Sequence, residues 1–465
     1  MARPSWVYLT SGSFPNRPKI IALLMPDMDF LLFLISSVEA FTIEHVLCLS
    51  KEQIVFQVVL TQALPYKRTI INHHGLIMKS TPMHKRIKRH IIGPDHDFFI
   101  ATSPSLNQVC HEELLSYSLP VKDSEPVPGG VSFKGRLSDC FCANLFLRTA
   151  NRILMRIDEF KATNFTGLEE KTARIPWELY LQENSRVRVI VSAQKSRLYH
   201  KDAIAQRVLS AIHTRVPVST ESLLDQMVFV RGFEDRFTLS LDSSGDLLYK
   251  RGVKQHGGKA PLRETLAAAA LRLAGYAPEK PLLDPMCGSG TFSLEAAMMA
   301  KGIPAGWFRR FAFMDWPAFK NESWEYLKKQ EEKRFRVFDH PLIFASDQDE
   351  NACKTLEKTI ADKHLSDVAR VDCMDFFALD PSRISHEPGL VALNPPYGLR
   401  LKNPNENKLF CEKILRQLLR DYQNWSFILV LPEKNALKIL PPGVIHRVLP
   451  VFHGGLSVFL IIGKI

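Results

Sequence analysis

The chain has 465 residues, and its 60 Lys and Arg against 49 Asp and Glu give a formal net charge of +11 at pH 7. The length allows two to four domains, and a hydrophobic fraction of 46% with 23% charged residues excludes a largely disordered chain. The excess of positive charge suits a phosphate-rich partner such as a nucleic acid.

The sequence indicates neither a membrane segment nor a metal site. The apolar stretches Ile20–Met25 and Phe30–Ile35 are interrupted by Pro26, and each is much shorter than the ~20 residues that span a bilayer. The eight cysteines form no Cys-x-x-Cys pair, and Cys140 and Cys142 are too close together for a zinc knuckle. We therefore expect a cytoplasmic protein with free thiols, no membrane anchor and no metal ion.

In chain order, the first 95 residues show no sustained periodicity. Their basic cluster His84–His90 is either a solvated segment or an RNA contact. Regular patterning begins near Asp97. The elements predicted next are the strands Phe98–Thr102 and Val131–Lys134 and, between them, the helix Leu106–Tyr117 with Ser105 as its N-cap.

Strands and helices alternate through the rest of the chain. Between residues 160 and 250 the predicted elements are the strand Val187–Ser192, the helix Asp202–His213 and the paired strands Met227–Arg231 and Phe237–Leu241. From Pro261 onwards the alternation is regular, and it predicts a doubly wound, mostly parallel sheet. This sheet ends in an antiparallel hairpin formed by Arg447–Phe452 and Leu456–Ile462.

A glycine-rich loop follows the strand predicted at Pro281–Asp284 and precedes a helix predicted at Thr291–Ala300. Open α/β sheets bind ligands at the carboxyl ends of such strands, and glycines let the backbone approach a ligand closely. The string Asp-Pro-Met-Cys-Gly-Ser-Gly-Thr resembles motif I of class I methyltransferases. The residues expected to form the cofactor side of this loop are Asp284, which would face an ammonium group directly or through water, Cys287, Gly288, Gly290 and Thr291.

Two further acidic residues follow predicted strands. Asp347, after Leu342–Ser346, can accept both ribose hydroxyls of a nucleoside cofactor, or it only starts the next helix. Asp375, after Ala369–Cys373, suits an adenine amino group, or it is a surface turn residue. Because the glycine-rich loop and Asp347 are separated by far more than the ~20 residues of a compact dinucleotide fold, residues 301–340 form an insertion.

The string Asn394-Pro395-Pro396-Tyr397 follows the predicted strand Leu390–Leu393. An exocyclic amine on a base is a poor nucleophile because its lone pair is conjugated with the ring. The Asn394 side-chain oxygen and the Pro395 carbonyl can accept hydrogen bonds from the two N–H groups of this amine, and the two prolines stiffen the turn. Tyr397 can stack on an extruded base. The alternative is a simple Asn-Pro turn.

Taken together, these motifs resemble the THUMP-domain RNA guanine-N2 methyltransferases, in particular the bacterial large-subunit rRNA enzymes, over about residues 97–465. The other similar segments are Phe99–Thr102, Leu106–Leu115, Gly129–Gly135 and Arg148–Leu154 in the N-terminal module, Ser196–Ala203 in the THUMP core, and Leu241–Gly252 and Ala260–Ala267 at the junction. The sequence departs from the family at Val253-Lys254, where Tyr-Arg is common, and at Leu399, where Glu is common.

The resemblance implies an α/β protein in which a class I, Rossmann-like methyltransferase sheet follows an α+β ferredoxin-like and THUMP RNA-binding module. The implied boundaries are an unassigned N-terminal extension at 1–95, a ferredoxin-like module at 96–159, a THUMP domain at 160–250 and a methyltransferase domain at 251–465. Residues 1–95 match nothing in the family. They are therefore either an added extension or the result of a start codon assigned too far upstream, in which case Met78 or Met83 is the true start. The implied RNA contacts are Arg197, His200, Lys201 and Arg251.

The resemblance further implies methyl transfer from S-adenosylmethionine to the N2 amine of a guanine in RNA, with 23S rRNA as the first substrate and tRNA as the other. This chemistry needs no covalent nucleophile, so we expect Cys287 to pack within the cofactor loop. Three alternatives stay open: methylation of adenine N6 in DNA or RNA, methylation of a glutamine amide in a protein, and a noncatalytic RNA-binding assembly factor.

Overall fold

The computed structural model describes residues 81–219, 221, 224–254, 262–396, 404–431, 437–438, 440–453 and 456–465, together with the backbone of three short strands. These strands, β1 (Ser5–Tyr8), β2 (Ile20–Leu24) and β3 (Leu31–Ile35), pair as an antiparallel sheet. The chain divides into two compact units, Met1–Thr81 and Pro82–Ile465. The second unit therefore begins before residue 96, where the first module was predicted to start.

The first half of the second unit forms a sheet of seven strands with helices on one face. The strands lie in the order β5-β6-β4-β7-β10-β9-β8, and every described pair is antiparallel except β8 with β9. The strands are β4 (His96–Ala101), β5 (Lys122–Val127), β6 (Gly130–Gly135), β7 (Arg152–Lys161), β8 (Arg186–Gln194), β9 (Asp225–Phe233) and β10 (Arg236–Asp242). The helices are α1 (Pro82–Ile87), α2 (Asn107–Ser116), α3 (Leu137–Phe146), α4 (Phe165–Arg174) and α5 (Lys201–His213).

Strand β7 joins the two predicted N-terminal modules into this one sheet. Its first four residues, Arg152–Met155, pair with β4, and Leu154–Lys161 pair with β10, so β7 crosses the boundary predicted between residues 159 and 160. The ferredoxin-like and THUMP regions consequently share a continuous ladder of backbone hydrogen bonds.

The helix predicted at Leu106–Tyr117 is present as α2, but Ser105 does not cap it. Leu106 occupies the N-cap position, without a capping side chain, and Ser105 has a φ of +68°. Leu106 is fully buried in the hydrophobic core, and its burial sets where the helix begins. The predicted cap was therefore wrong.

The C-terminal half contains the predicted doubly wound sheet. Its strands lie in the order β13-β12-β11-β14-β15-β17-β16, parallel from β13 to β15 and antiparallel from β15 onwards. The strands are β11 (Leu282–Asp284), β12 (Ile343–Asp347), β13 (Ala369–Cys373), β14 (Leu390–Leu393), β15 (Ser426–Leu431), β16 (Ile445–His453) and β17 (Leu456–Lys464). The helices are α6 (Glu264–Leu273), α7 (Thr291–Lys301), α8 (Asn321–Glu332), α9 (Glu350–Asp362) and α10 (Pro404–Asp421). The strand order reverses direction between β11 and β14, which is where such sheets bind ligands.

The predicted insertion lies between α7 and β12, and it packs against the first sheet. Phe313 stacks on Phe141 of α3 with ring centroids 4.1 Å apart. The Trp316 indole donates a hydrogen bond to the Gln226 side-chain oxygen at 3.0 Å, and the Gln226 amide donates to the Ala312 carbonyl at 3.0 Å. The insertion therefore fixes the C-terminal domain to strand β9. Among the described residues, no helix has both the length and the apolar character needed to cross a bilayer.

Candidate active site

Four predicted site residues lie along the carboxyl edge of the C-terminal sheet. Asp284 ends β11, Asp347 ends β12, Asp375 follows β13 and Asn394 follows β14. Because these strands are parallel neighbours, their ends meet at one edge, beside the reversal between β11 and β14. Tyr397, predicted to stack on the base, lies outside the described residues.

The two glycines of the loop after β11 occupy their positions for different structural reasons. Both have positive φ, +51° at Gly288 and +71° at Gly290. A Cβ on Gly290 would lie 2.2 Å from the Leu356 side chain, whereas a Cβ on Gly288 would have no atom within 4 Å. Gly290 therefore permits packing against α9, and Gly288 leaves open space beside Asp347, which accepts its N–H at 2.8 Å. That open space suits the close approach of a ligand to the loop backbone.

Asp284 is buried and connects β11 to α7. Its carboxylate accepts hydrogen bonds from the Ser293 N–H at 3.1 Å and from the Ser293 hydroxyl at 2.7 Å. Burial raises the pKa of Asp284 to about 7, although the bonds from Ser293 act to lower it. Because only 1% of the residue is exposed, we keep the predicted contact with a ligand ammonium in its water-mediated form.

The two other carboxylates occupy different positions. Asp347 is half-buried, and its second oxygen accepts the Asp349 N–H at 3.0 Å. Helix α9 is capped by Asp349, which accepts from the N–H groups of Asn351 and Ala352, so starting that helix is not the role of Asp347. Asp375 is exposed and accepts the Phe377 N–H at 3.1 Å, as a turn residue does, and its contact with an adenine amino group stays a prediction.

Asn394 presents a buried oxygen that no described residue satisfies. Its Oδ1 has no hydrogen-bond partner in the described part of the chain, and it follows a strand whose four residues are all buried. Pro395 is buried and Pro396 is half-buried beside it. An unsatisfied buried acceptor costs about 1–3 kcal/mol, and the acceptance of a ligand donor by this oxygen stays a prediction.

Cys287 and Thr291 have structural rather than nucleophilic roles. Cys287 lies in a hydrophobic core, where burial raises the pKa of its thiol far above the ordinary value, in agreement with the packing role expected for it. Thr291 accepts a hydrogen bond from the Lys254 ammonium at 2.6 Å. Lys254 also reaches the Ser289 hydroxyl at 3.3 Å and pairs with Glu264 at 3.2 Å.

Lys254 thus contacts the glycine-rich loop from a distant part of the chain, and the motifs did not identify it. The signal that could have identified Lys254 is its place in the sequence, because the related enzymes often have an arginine at this position. Its ammonium holds the two hydroxyls that flank Gly290 and so supports the conformation of the glycine-rich loop.

Three of the predicted RNA contacts lie together near the start of α5. Arg197, His200 and Lys201 are all exposed. The neighbouring Tyr199 is 63% exposed and lies against the His200 ring, with centroids 4.2 Å apart. This grouping supplies positive charge and an aromatic ring at one exposed loop.

Arg251, the fourth predicted RNA contact, is 4% exposed and lies within a buried ion-pair network. Its guanidinium contacts the Glu295 carboxylate at 3.3 Å and donates to the Arg148 carbonyl at 2.5 Å. Arg148 also pairs with Glu295, at 2.7 Å. An arginine whose charge is enclosed in this way cannot reach RNA phosphates, so we assign Arg251 to the network and remove it from the RNA contacts.

The described residues contain no group of three or more His, Cys, Asp or Glu side chains arranged to hold a metal ion. The candidate active site is the carboxyl edge of the sheet, with its glycine-rich loop, its carboxylates and the Asn394 oxygen.

Three family models match the chain in order. They are an RlmL ferredoxin-like domain over residues 97–154, a THUMP domain over 162–242 and an RMKL-like methyltransferase domain over 251–454. The fold expected from the motifs is confirmed by these matches.

Relatives and solved structures agree with the family models. The chain is 32% identical over 350 residues to "Putative RNA methyltransferase YpsC" of Bacillus subtilis, covering 72% of this chain and 88% of that protein. It is 33% identical over 322 residues to the ribosomal RNA large subunit methyltransferase K/L of Allochromatium vinosum, covering 66% of this chain and only 43% of that longer protein.

Two crystal structures show the same fold. One is titled a "predicted N6-adenine-specific DNA methylase" from Listeria monocytogenes, with a TM-score of 0.70 and 27% identity over 79% of this chain and 96% of that one. The other is "SMU.472, a putative methyltransferase complexed with SAH", with a TM-score of 0.71 and 24% identity over 80% of this chain and 98% of that one.

Proposed function

Because the chain belongs to the family of THUMP-domain, S-adenosylmethionine-dependent RNA methyltransferases, we propose that it methylates the exocyclic N2 amine of a guanine in RNA. Large-subunit rRNA is the first substrate of this proposal, because relatives that cover two thirds of the chain are named for it. A tRNA guanine is the second. The proposed site of action is the cytoplasm.

The observation that carries the proposal is the unsatisfied oxygen of Asn394. A planar amine on a base has two N–H donors, and Asn394 Oδ1 accepts one of them while the Pro395 carbonyl accepts the other. Holding both donors draws the nitrogen towards a tetrahedral shape and frees its lone pair for attack. Pro395 and Pro396 keep these acceptors in place before the base arrives.

The cofactor fits the same edge of the sheet. S-adenosylmethionine supplies an electrophilic methyl group when it is bound. The open space at Gly288 admits a ligand against the loop backbone, and Asp347 provides a carboxylate for ribose hydroxyls at the end of β12. Asp375 serves the adenine, and Asp284 contributes negative charge through water for the ammonium group. In this arrangement Asn394 lies beside the glycine-rich loop, since β14 is the neighbour of β11.

The N-terminal half supports RNA as the substrate. A THUMP domain matches residues 162–242, and the exposed Arg197, His200 and Lys201 provide charge for the phosphate backbone. Tyr397, which lies outside the described residues, keeps its predicted role of stacking on the extruded base.

The first test addresses Asn394. We expect Asn394→Ala to lower the single-turnover rate on undermethylated large-subunit rRNA about 10²- to 10³-fold, because the variant lacks one preorganised acceptor at the reacting amine. The affinity for S-adenosylmethionine, measured by calorimetry, should change little. Asn321→Ala, in an exposed position at the start of α8, is the matched control and should keep the full rate. Wild-type turnover by Asn394→Ala would eliminate the mechanism and favour an assembly factor.

The second part of the test identifies the product. Nucleoside mass spectrometry of rRNA and tRNA from cells with and without the gene should show N2-methylguanosine that depends on the gene. N6-methyladenosine in its place would keep the role of Asn394 and replace the substrate, because the same acceptors fit any planar amine.

A further inference from the structure

The seven-stranded sheet of β4–β10 has two unlike faces. On one face, side chains such as Val228, Val230 and Phe237 enter the hydrophobic core beneath α2–α5. The alternate side chains belong to none of the hydrophobic cores of the described structure. We call this second surface the open face; its residues used below are Phe99 on β4, Arg152 and Arg156 on β7, Phe229 and Arg231 on β9, and Arg188 on β8.

Cationic side chains lie over aromatic rings along the open face. The pairs are Arg156 with Phe99 (5.6 Å to the ring centroid), Arg152 with Phe229 (5.3 Å) and, where β9 ends, Lys195 with Phe233 (5.4 Å). Aromatic rings and guanidinium planes are the surfaces on which proteins stack unpaired bases. Strands β4 and β9 are separated by β7 and β10, so their backbones lie roughly 14 Å apart, and the Phe99 and Phe229 pairs can each hold a base.

The open face also carries charge that complements a phosphate backbone. Arg188 and Arg231 are exposed on the neighbouring strands β8 and β9. Arg188 Nε donates to Asp225 at 2.9 Å, which fixes the plane of the guanidinium and leaves its side chain 46% exposed. Exposed arginines beside the stacking platforms suit an extended chain of phosphates and bases.

A recess lies where the open face meets the C-terminal domain. It has a volume of about 520 Å³, and Arg152 and Arg188 line it from the open face. The other lining residues come from β9, the linker and the insertion, and they include both basic and acidic side chains: Asp225, Met227, Gly245, Asp246, Leu247, Tyr249, Lys250, Arg310, Phe311, Ala312 and Asp315. The volume falls within the range of small-ligand pockets, roughly 300–1,000 Å³, and accommodates a nucleotide. An RNA strand bound on the open face can therefore continue through this recess towards the catalytic domain.

These features favour single-stranded RNA over a duplex. In an A-form helix the bases are stacked on one another and the major groove is too narrow for side chains, so proteins contact it through shape, 2′-hydroxyls and phosphates. The rings of Phe99 and Phe229 can stack only on bases that are unpaired.

We propose that the open face binds a single-stranded segment of the RNA substrate, with bases stacked on its aromatic–arginine pairs and one nucleotide in the recess. This proposal rests on the proposed function in one respect, that RNA is the substrate. It is distinct from the exposed group Arg197, His200 and Lys201, which lies at the loop before α5.

The test uses the full chain and a fluorescein-labelled RNA of about 12 nucleotides without self-complementarity, alone or annealed to its complement. By fluorescence anisotropy, the single strand should bind more tightly than the duplex. Phe229→Ala should weaken binding of the single strand roughly five- to hundredfold, because the variant lacks a stacking surface. Arg231→Glu, an exposed substitution that leaves the core intact, should weaken binding. It should also make the slope of log affinity against log salt concentration shallower by about 0.7 for each phosphate that the protein no longer neutralises.

Arg174→Glu is the matched control, since Arg174 is exposed on α4, on the helical side of the sheet. It should bind the single strand as the wild type does. Tighter binding of the duplex, unchanged binding by a folded Phe229→Ala, or an equal loss in Arg174→Glu would each overturn the proposal. These outcomes are separate from methylation: an inactive wild type that binds as expected refutes the proposed function alone, and an active wild type with unaffected variants refutes the open-face proposal alone.

Discussion

At the scale of single residues, burial changes the pKa of the Asp284 carboxyl group and so makes the stability of the fold depend on pH. Its pKa is raised from 3.8 to about 7 by burial, because the Ser293 hydrogen bonds offset only part of the cost of a buried charge. Between these two values the folded protein holds a proton that the unfolded chain releases. The protonated form thus stabilises the fold at low pH, and this contribution is lost as the pH rises through the folded pKa.

We expect the free energy of unfolding to contain a contribution from Asp284 that falls as the pH rises from about 4 to about 7. Asp284→Asn keeps the shape and an oxygen acceptor for Ser293 but cannot titrate, so the contribution should vanish. Urea unfolding across this pH range measures the difference between the two proteins. Asp339→Asn, an exposed substitution, should leave the pH dependence of the wild type intact. Parallel pH profiles for wild type and Asp284→Asn would disprove the assignment.

At the scale of the elements, two aspartates near the junction of β12 and α9 have different functions. Asp349 caps α9 through the N–H groups of Asn351 and Ala352, whereas Asp347 contacts the glycine-rich loop through the Gly288 N–H. Asp347 is thus free of helix capping and available at the end of its strand for a ligand.

We expect Asp347→Ala to raise the dissociation constant for S-adenosylmethionine roughly five- to hundredfold, because unpairing such hydrogen-bonding groups costs about 1–3 kcal/mol. Calorimetry measures the affinity. Asp349→Ala is a control two residues away, and it should lower the stability of α9 by about 1 kcal/mol without changing the affinity. If the folded Asp347→Ala protein binds the cofactor as the wild type does, the ribose contact is wrong.

Two strands of the C-terminal sheet could be predicted from the sequence with their bounds. Leu390–Leu393 coincides with β14, a short apolar run that is buried at all four positions, as expected of a central parallel strand. Ala369–Cys373 coincides with β13, the edge strand, in which apolar and charged residues alternate. Helix α3 was not predicted. Its buried positions surround the helix, since Leu137, Asp139 and Cys140 are all enclosed, and so they produce no amphipathic period.

At the scale of the whole molecule, the sequence predicted the modules but not how they are joined. The resemblance implied Arg251 as an RNA contact. Its burial depends on Glu295 and Arg148, which are distant in sequence, so no local pattern reveals the ion pair. The insertion was predicted from the long interval between the glycine-rich loop and Asp347, whereas its packing through Phe313 on α3 required the structure.

The buried network connects the three parts of the described fold. Glu295 lies on α7, immediately after the glycine-rich loop, Arg148 precedes β7 in the N-terminal sheet, and Arg251 lies on the segment between them. Burial opposes the charge of Glu295, but the guanidinium groups of Arg251 and Arg148 hold its pKa below the ordinary value. Glu295 therefore stays ionised and compensates two buried cations.

We expect Glu295→Gln to lower the free energy of unfolding by about 3–5 kcal/mol, because it removes the carboxylate that pairs with both buried guanidinium groups. The control is Glu169→Gln, which breaks the 2.8 Å pair with Arg207 at side chains 32% and 55% exposed, and there the loss should be about 0–1 kcal/mol. Urea unfolding of both variants measures the contrast. A loss for Glu295→Gln no larger than for the control would show that the junction does not depend on this network. In that case the packing of the insertion, through Phe313 and Trp316, would hold the two halves together.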